Sequence, residues 1–584
     1  MVRIELRLPS RTFARISLLL AALMLTACSD LAAKRDPLIS APPTQTLTLT
    51  LTQTLTLTQT LTPTPTLTPT PPPTPTPTPS NLWIDPSDVR IHPDGGLYSG
   101  DTLSFEIEAR NGGSTHLSRV PVVVDWRSDR AEGEVDTIPR GGSGTANLVW
   151  VWNTASLVGT QTVTITLDPE NEIGDPDSSN NITVIQIDLA ADRPGNEIGA
   201  EWQTATSDCC TFHFIRGTAA ARDIDAIMLV ADDAIAYAED RLDVQRDDRL
   251  EVYLISRVLG HGGFAGEQIA ISYLDRNYAG GGLLEVFRHE GTHLLDRGIA
   301  GGERPVLLVE GFATYITGGH FKLEPLPERA AALLQIDGYL PLRDLANNFY
   351  PSQHETGYLE AGAFIDYLVQ RDGYATFIEL YDGMRRKPGE SDADMIDREM
   401  QAVYDVGLDD MEAEWLAHLR TLDADDQVRD VANTIAFYDT VRRYQRALDP
   451  SAYFLEVWMP DIQQAEPRGL VADYLRHPRA PENIAIETML VAADAAFVAR
   501  DFDRVEALLA AINTVLDADV TFSDPTAARY LAVVRATLAS GYEPQRITLD
   551  GDRADVLAAR DGGSTLVSLS AVLQDDAWSV RLSQ

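Results

Sequence analysis

The chain has 584 residues, and 44% of them are hydrophobic, which is enough for three or four domains with cores of their own. Its 87 acidic residues outnumber 47 basic ones, giving a formal net charge of -40. This acidic balance excludes nucleic acid as a partner, because phosphate backbones would be repelled, and it indicates a solvated exterior that repels copies of itself.

Residues 1–27 have the ordered features of a secretory signal peptide. Four arginines between positions 3 and 15 precede an apolar run at 16–24, which is too short to span a bilayer comfortably. The run leads into LTAC at 25–28, which resembles the lipobox of bacterial lipoproteins. That resemblance implies cleavage before Cys28 and attachment of a diacylglycerol to its thiol; the alternative is an incidental cysteine in an uncleaved anchor. We expect an extracytoplasmic protein that is anchored to the cell membrane or envelope by a lipid on Cys28.

The segment 28–80 is predicted to be a stalk. From residue 42 onward it consists almost entirely of Thr, Pro, Leu and Gln, so it cannot form a core. Proline keeps such a chain extended, and at about 3 Å per residue the stalk would be on the order of 100 Å long.

Residues 81–190 are predicted to form an all-β sandwich. Short runs of alternating apolar and polar residues are separated by Gly, Asp and Asn turns, and these runs lie at 103–110, 120–126, 146–152, 162–168 and 182–189. The turn at 168–181 resembles the turn before the last strand of CARDB-type bacterial immunoglobulin-like domains. Its carboxylates are either a solvated acidic turn or calcium ligands. The sandwich is also a candidate surface for cell-surface or envelope partners.

Residues 191–423 are predicted to be an α+β domain. Strands are expected at 210–215, 250–256 and 268–274, with a helix at 219–242 between the first two. Cys209 and Cys210 are adjacent, and a disulfide between neighbours is strained, so they cannot provide a structural framework.

The most informative motif is HEGTH, which contains His289, Glu290 and His293. On a helix predicted at 283–297, the two histidines lie one turn apart on one face, so both imidazoles can reach one metal ion. Glu290 can then accept a proton from a water molecule held at that metal. A hydrolytic zinc site usually needs a third protein ligand, and Glu310 on a second helix, predicted at 306–316, fits that demand. The short connection between the helices favours an antiparallel pair that brings Glu310 back to the histidines.

HEGTH followed by VEGFATYI at 309–316 resembles the gluzincin peptidases, and most of all the compact peptidase-MA-like domains of bacterial surface proteins. The second block is similar to the NEGFA block of aminopeptidase-N-like enzymes, with Val309 in place of Asn. The resemblance implies Zn²⁺ held by His289, His293 and Glu310. It also implies a tyrosine or histidine that stabilises the oxyanion, for which Tyr358 is the candidate. A tyrosine that is merely packed at a helix start is the alternative for Tyr358.

The resemblance further implies that a peptide substrate binds by strand addition to the strand at 268–274, which gluzincins use as the edge of the sheet. Aminopeptidase-N-like enzymes place a glutamate just before that strand to capture the free amine of the substrate. Glu267 lies in a comparable place, but its AGEQ surroundings depart from the GxMEN pattern of those enzymes. The alternative is that Glu267 is an ordinary surface glutamate. We therefore expect an endopeptidase, or an enzyme with both endopeptidase and aminopeptidase activity.

The rest of the chain is predicted to be helical from 424 to 545 and to end in a small β meander at 546–584. Residues 486–512 have the small-residue spacing of a tetratricopeptide-like hairpin, but one hairpin is not an array. The whole pattern predicts a multidomain, envelope-anchored zinc metallopeptidase that acts on a peptide or protein. The alternative is a surface adhesion or scaffold protein that uses an inactive peptidase-like domain for binding.

Overall fold

The computed structural model describes residues 80–583, except 94–95, 151, 153, 194, 300–301, 321, 353, 454–458, 460–461, 561–562 and 576. The predicted signal peptide, the lipidation site Cys28 and the stalk up to residue 79 lie outside the described residues. Within the described residues, no helix combines the length and the apolar character that a membrane span requires.

The strands, in chain order, are β1 (Leu82–Trp83), β2 (Val89–His92), β3 (Leu97–Tyr98), β4 (Leu103–Asn111), β5 (Leu117–Trp126), β6 (Asp129–Ile138), β7 (Ser143–Trp150), β8 (Gly159–Leu167), β9 (Ile182–Ala190), β10 (Trp202–Thr206), β11 (Cys210–Ile215), β12 (Leu250–Ile255), β13 (Gly263–Ala265), β14 (Ile269–Ser272), β15 (Tyr542–Asp550), β16 (Arg553–Arg560), β17 (Leu566–Gln574) and β18 (Ala577–Leu582).

The α-helices are α1 (Ala219–Leu242), α2 (Leu283–Leu295), α3 (Val306–Thr317), α4 (Leu326–Gln335), α5 (Leu342–Asn347), α6 (His354–Asp372), α7 (Tyr374–Gly383), α8 (Asp392–Tyr404), α9 (Leu408–Leu419), α10 (Asp425–Leu448), α11 (Ile462–Ala465), α12 (Ala472–Leu475), α13 (Pro481–Val498), α14 (Phe502–Asp517) and α15 (Pro525–Ala539).

The region that contains β1 to β9 is β-rich, as predicted. One sheet has the order β3-β9-β8-β5-β6, and in the other β4 pairs with β1, β2 and β7. Inward-facing side chains of both sheets share one buried cluster that includes Phe105, Val122 and Ile165. The alternating runs predicted for β4, β5, β7, β8 and β9 are confirmed, whereas β1, β2, β3 and β6 were not predicted.

The turn at 168–181 is solvated only in part. Three of its five acids are exposed, whereas Asp168 and Asp175 are buried and accept hydrogen bonds from backbone N–H groups, among them those of Ile173 at 2.9 Å and Leu82 at 2.6 Å. Among the described residues, the turn does not bring three metal-binding side chains together. The two buried acids shape the turn by satisfying the backbone.

The mixed α/β region has a sheet of order β10-β11-β12-β14-β13. Strands β11, β12 and β14 are parallel, and β10 and β13 pair antiparallel at the two edges. The strand predicted at 268–274 is thus an interior strand, β14, so its assignment as the substrate-binding edge is wrong. The sheet edge next to β14 is β13, whose three residues are too few to show an alternating pattern in the sequence.

The C-terminal helices and meander pack on this region. Helices α10, α13, α14 and α15 share a buried cluster with the meander strands and with Val258, Tyr278 and Ala279. The strands β15 to β18 form the predicted meander. Between Leu448 and Pro481, however, the described chain is mostly irregular with two four-residue helices, so the predicted continuous helical region is wrong there.

One arginine in that irregular segment joins it to the β-rich region. Arg476 is 4% exposed, and it donates hydrogen bonds to Asp101 at 2.5 and 2.9 Å and to Glu197 at 2.5 and 2.6 Å. Its guanidinium also lies over the ring of Tyr98 at 4.7 Å. These contacts tie the segment to the β-rich region, and its prolines, Pro467 and Pro478 among them, interrupt regular helices.

Cys209 and Cys210 form a vicinal disulfide that is buried beside the first parallel strand. It links no distant segments, in agreement with the expectation that these cysteines provide no structural framework.

Candidate metal centre and its cleft

The metal-binding motif lies on α2, whose limits are set by glycine and by its apolar face. Gly280 and Gly281 have positive φ, and Gly282 caps the helix start, so the chain turns sharply into α2. Phe287 and Leu295 are buried and fix the helix against the core. Helix α3 begins after Pro305 and ends at Gly318 in the left-handed conformation. The two predicted helices are confirmed within two residues.

The structure brings His289, His293 and Glu310 together, as predicted. Oxygen Oε2 of Glu310 lies 3.2 Å from Nε2 of His289 and 3.3 Å from Nε2 of His293. Zinc bonds of about 2.0–2.1 Å in a tetrahedron separate neighbouring ligand atoms by about 3.3 Å. The three ligand atoms lie within 4.8 Å of one another and could hold one metal ion. No other group of this kind occurs within the described residues.

The carboxylate of Glu310 is kept ionised by its surroundings. Burial alone would raise its pKa, but the nearby imidazoles of His293 and His289 outweigh burial and hold the pKa well below the usual value. The hydroxyl of Tyr350 donates a hydrogen bond of 2.7 Å to the other carboxylate oxygen, Oε1. Tyr350 thus orients Glu310 while Oε2 stays directed at the histidines.

The Nδ1 atoms of the two histidines, which do not face Glu310, lack, in the described part of the chain, the hydrogen bonds that usually orient a metal-binding imidazole. The Nδ1 atoms of His289 and His293 are buried without a hydrogen-bond partner among the described residues. Asp296, one turn after His293, contacts neither; it accepts a hydrogen bond of 2.6 Å from Tyr381 and pairs with Arg304. Packing and Glu310, rather than a second carboxylate, therefore hold the imidazoles in place.

Glu290 lies beside the three ligand residues and is buried. Burial raises its pKa to about 7; His289 acts against that rise, and Glu310 adds to it. A methyl group at Gly263 of β13 would stand 3.2 Å from Oε1 of Glu290 and 2.8 Å from Cγ1 of Val286. The glycine therefore allows the edge strand to pass close to the carboxylate.

A cleft of about 320 Å³ opens over these groups. Its lining includes β13, with Phe264 39% exposed, and Tyr350, also 39% exposed. The metal-binding side chains and Glu290 line the same cleft. An extended peptide that paired with β13 would therefore run through the cleft that holds these groups.

Tyr358 lies at the back of the cleft and is 5% exposed. Its ring stacks on that of His320 with centroids 3.8 Å apart, and it lies 5.9 Å from the ring of His289. Burial raises the pKa of Tyr358, so its hydroxyl keeps its proton and can serve as a donor. This position agrees with either role considered for Tyr358, donor or packed tyrosine.

Glu267 is exposed in the turn between β13 and β14 and is not among the residues that line the cleft. The structure therefore does not place Glu267 where it could contact the amine of a substrate bound in the cleft.

Sequence reasoning missed Tyr350, His261 and His320, which also line the cleft. Burial lowers the pKa of both histidines well below the usual value, so their rings are neutral. Nδ1 of His320 lies 3.3 Å from Oε2 of the buried Glu355. The scarcity of histidine, 10 in 584 residues, was the available signal, because two more of them, His261 and His320, fall within 30 positions of the HEGTH motif.

Comparisons with known proteins give limited similarity. No protein-family model matches the chain, and no curated protein matches it at a significant level. The CARDB domain of a Pyrococcus furiosus protein, crystallised with di-metal ions, is 16% identical; the match covers 19% of this chain and 89% of that one, with a TM-score of 0.16. An aminopeptidase N family protein from Idiomarina loihiensis is 10% identical; the match covers 60% of this chain and 76% of that one, with a TM-score of 0.23. TM-scores this low do not establish a shared fold.

Proposed function

We propose that this protein is a zinc-dependent peptidase of gluzincin type. The observation that carries the proposal is the convergence of two imidazoles and the Glu310 carboxylate at tetrahedral spacing, with Glu290 and the edge strand β13 in the same cleft. A site that only bound metal would not need a second buried acid such as Glu290 beside Glu310. Peptide hydrolysis uses all of these groups.

Zinc bound by His289, His293 and Glu310 would supply Lewis acidity, lowering the pKa of water and polarising the scissile carbonyl. Glu290 accepts the proton of the attacking water and returns it to the leaving amine. Because burial raises the pKa of Glu290, its carboxylate takes up the proton more readily than an exposed carboxylate would. Tyr358 is the proposed donor to the developing oxyanion.

The substrate is proposed to be an extended peptide segment that pairs with β13. Because Glu267 is exposed outside the cleft wall, we propose endopeptidase action without capture of a free amine. The enzyme is further proposed to act outside the cytoplasm, attached by a lipid on Cys28 and separated from the envelope by the stalk. Metabolic labelling with a palmitate analogue tests this anchor: labelling that persists in Cys28→Ser would contradict it.

The main experiment compares wild type with Glu290→Gln, measuring zinc by elemental analysis and turnover on a peptide library. We expect about one zinc per chain in both proteins, because Glu290 is not a ligand, and a loss of turnover of roughly a thousandfold in the variant, as when a general base is removed. N-acetylated peptides should be cut as fast as their free-amine copies.

The matched control is Glu303→Gln, an exposed acid in the connection between α2 and α3. It should leave both zinc and turnover unchanged. Absence of zinc from the wild type contradicts the metal site, whereas equal turnover in wild type and Glu290→Gln contradicts the mechanism.

A further inference from the structure

A second cavity, of about 340 Å³, lies at the start of α2 and is walled by aromatic and acidic side chains. The aromatic walls are Phe437 and Tyr438 from α10 and Phe497 from α13. The acids that line it are Glu285, Glu324, Glu355 and Asp494, and the one base is Lys322. We call this space the acidic-aromatic cavity.

Two of the four acids have evident partners. Glu324 contacts Nε of Arg329 at 2.5 Å, and Glu285 lies in the first turn of α2, where the helix dipole stabilises a negative charge. Lys322 does not neutralise the others, because its ammonium pairs with Asp430 at 2.7 Å. Glu355 and Asp494 thus face the cavity with no lysine or arginine within ion-pair distance among the described residues.

Glu355 supplies the stronger indication of a ligand. Its side chain is 2% exposed, and one oxygen, Oε2, lies 3.3 Å from His320, whereas no hydrogen bond to Oε1 is found within the described residues. Burial raises the pKa of Glu355 to about 7 and also raises that of Asp494. Nearby cations, Arg329 and Lys322 among them, act against the rise at Glu355. Arg546 acts against the rise at the half-buried Asp494. A carboxylate that is withdrawn from water without a direct ion pair to a lysine or arginine costs free energy that a cationic ligand in contact with it would recover.

The aromatic walls favour an organic cation over a metal ion. The ammonium of Lys322 already lies 3.9 Å from the ring centroid of Phe497, so one face of the cavity holds an alkylammonium from the chain itself. The rings of Phe437 and Tyr438 lie edge to face, with centroids 5.1 Å apart, and provide further apolar surface for an alkyl chain. Metal ions prefer converging oxygen ligands to such a wall.

We propose that the acidic-aromatic cavity binds an alkylammonium group, supplied either by a small free amine or by the lysine side chain of a peptide. Its ammonium would pair with Asp494 and Glu355 and its carbon chain would pack on Phe437 and Tyr438. Glu355 contacts His320, and His320 lines the metal cleft. An occupied cavity would therefore be connected to that cleft through these two side chains.

Calorimetric titration of the full chain with 1,5-diaminopentane tests the proposal, because binding is measured without turnover. We expect saturable binding of one molecule per chain at physiological salt, and none of 1,5-pentanediol, which has the same length without charge. Asp494→Asn should weaken diamine binding roughly tenfold or more, as the loss of one buried charge pair implies. The matched control Asp519→Asn removes an exposed acid from the same helical region and should bind as the wild type does.

Nα-acetyl-lysine amide distinguishes the two sources. If it competes with the diamine, a peptide side chain is a competent ligand; if it does not, the ligand is a free amine. Absence of saturable binding of either compound, equal binding of the diol, or equal affinity in Asp494→Asn would overturn the proposal. If the diamine were attracted only to the acidic surface in general, Asp494→Asn would bind it with the affinity of the wild type. These binding measurements do not depend on zinc or on turnover, so a failure of the proposed peptidase activity would not change them.

Discussion

Two buried ionic clusters in this molecule differ in how far their charges are satisfied. At the junction of the β-rich region and the C-terminal helices, burial alone would lower the pKa of Arg476, but Glu197 and Asp101 outweigh burial and raise it. In the metal cleft, Glu290 is buried with a raised pKa, and the Nε2 atoms of His289 and His293 share one carboxylate oxygen of Glu310. A complete cluster is what a structural junction requires, whereas an incomplete one leaves groups free for a metal ion and a substrate.

The largest expected effect comes from breaking the complete cluster. Arg476→Met should lower the free energy of unfolding by about 3–5 kcal/mol, because it leaves Glu197 buried without its partner and Asp101 with the longer contact of 3.4 Å to Arg193. Urea unfolding measures the loss. The control Arg535→Met removes an arginine that is 60% exposed and pairs with Glu482, and it should cost less than about 1 kcal/mol.

A variant that also carries Asp101→Asn and Glu197→Gln sharpens this comparison. It should recover part of the lost stability, since no unpaired charge stays buried. If Arg476→Met cost no more than Arg535→Met, the junction would not depend on this ion pair.

The second effect concerns the ordering of a metal ligand. Tyr350→Phe removes the hydrogen bond to Oε1 of Glu310 and should weaken zinc affinity about 10- to 100-fold, as is typical when the outer partner of a ligand is lost. Competition with a chromogenic chelator measures the affinity. Tyr339→Phe, a hydroxyl deletion that breaks a contact with Glu412 outside the cleft, is the control and should leave affinity unchanged. An equal affinity in Tyr350→Phe would mean that this hydrogen bond does not contribute to metal binding.

The smallest effect is expected at an incomplete group outside both clusters. Glu360 in α6 is fully buried; its Oε1 accepts a hydrogen bond from the backbone of Leu340, and its Oε2 has no partner among the described residues. Burial raises its pKa well above 4.5, so the folded state keeps a proton that the unfolded state releases. Stability from this group is greatest below pH 4.5 and decreases as pH rises from there toward the raised pKa.

Glu360→Gln should therefore raise the melting temperature relative to wild type at pH 8 by more than it does at pH 4.5. Thermal unfolding at both values checks this difference. An identical difference at the two pH values would mean that Glu360 titrates normally.

The sequence predicted the ends of α1 and the positions of α2 and α3, because apolar periodicity and glycine or proline at helix ends are local features. It did not predict β6, whose residues are mostly polar with few buried positions, or β13, which has three residues. Tyr350 and His320 reach the cleft from loops, and Arg476 pairs with an acid 375 positions earlier in the chain. Contacts of this kind depend on how the elements pack, which no local pattern encodes.

The sheet edge at β13 offers only three residues for pairing, and Gly263 brings it close against Glu290. A helix, or a strand already paired within a folded protein, has no free backbone N–H and C=O groups for such an edge. Under the proposed function, a target would be cut only where a segment opens locally, so its cleavage rate would follow the free energy of that opening. Such an enzyme would discriminate damaged from intact partners by their conformational stability, even where both contain the same amino-acid sequence.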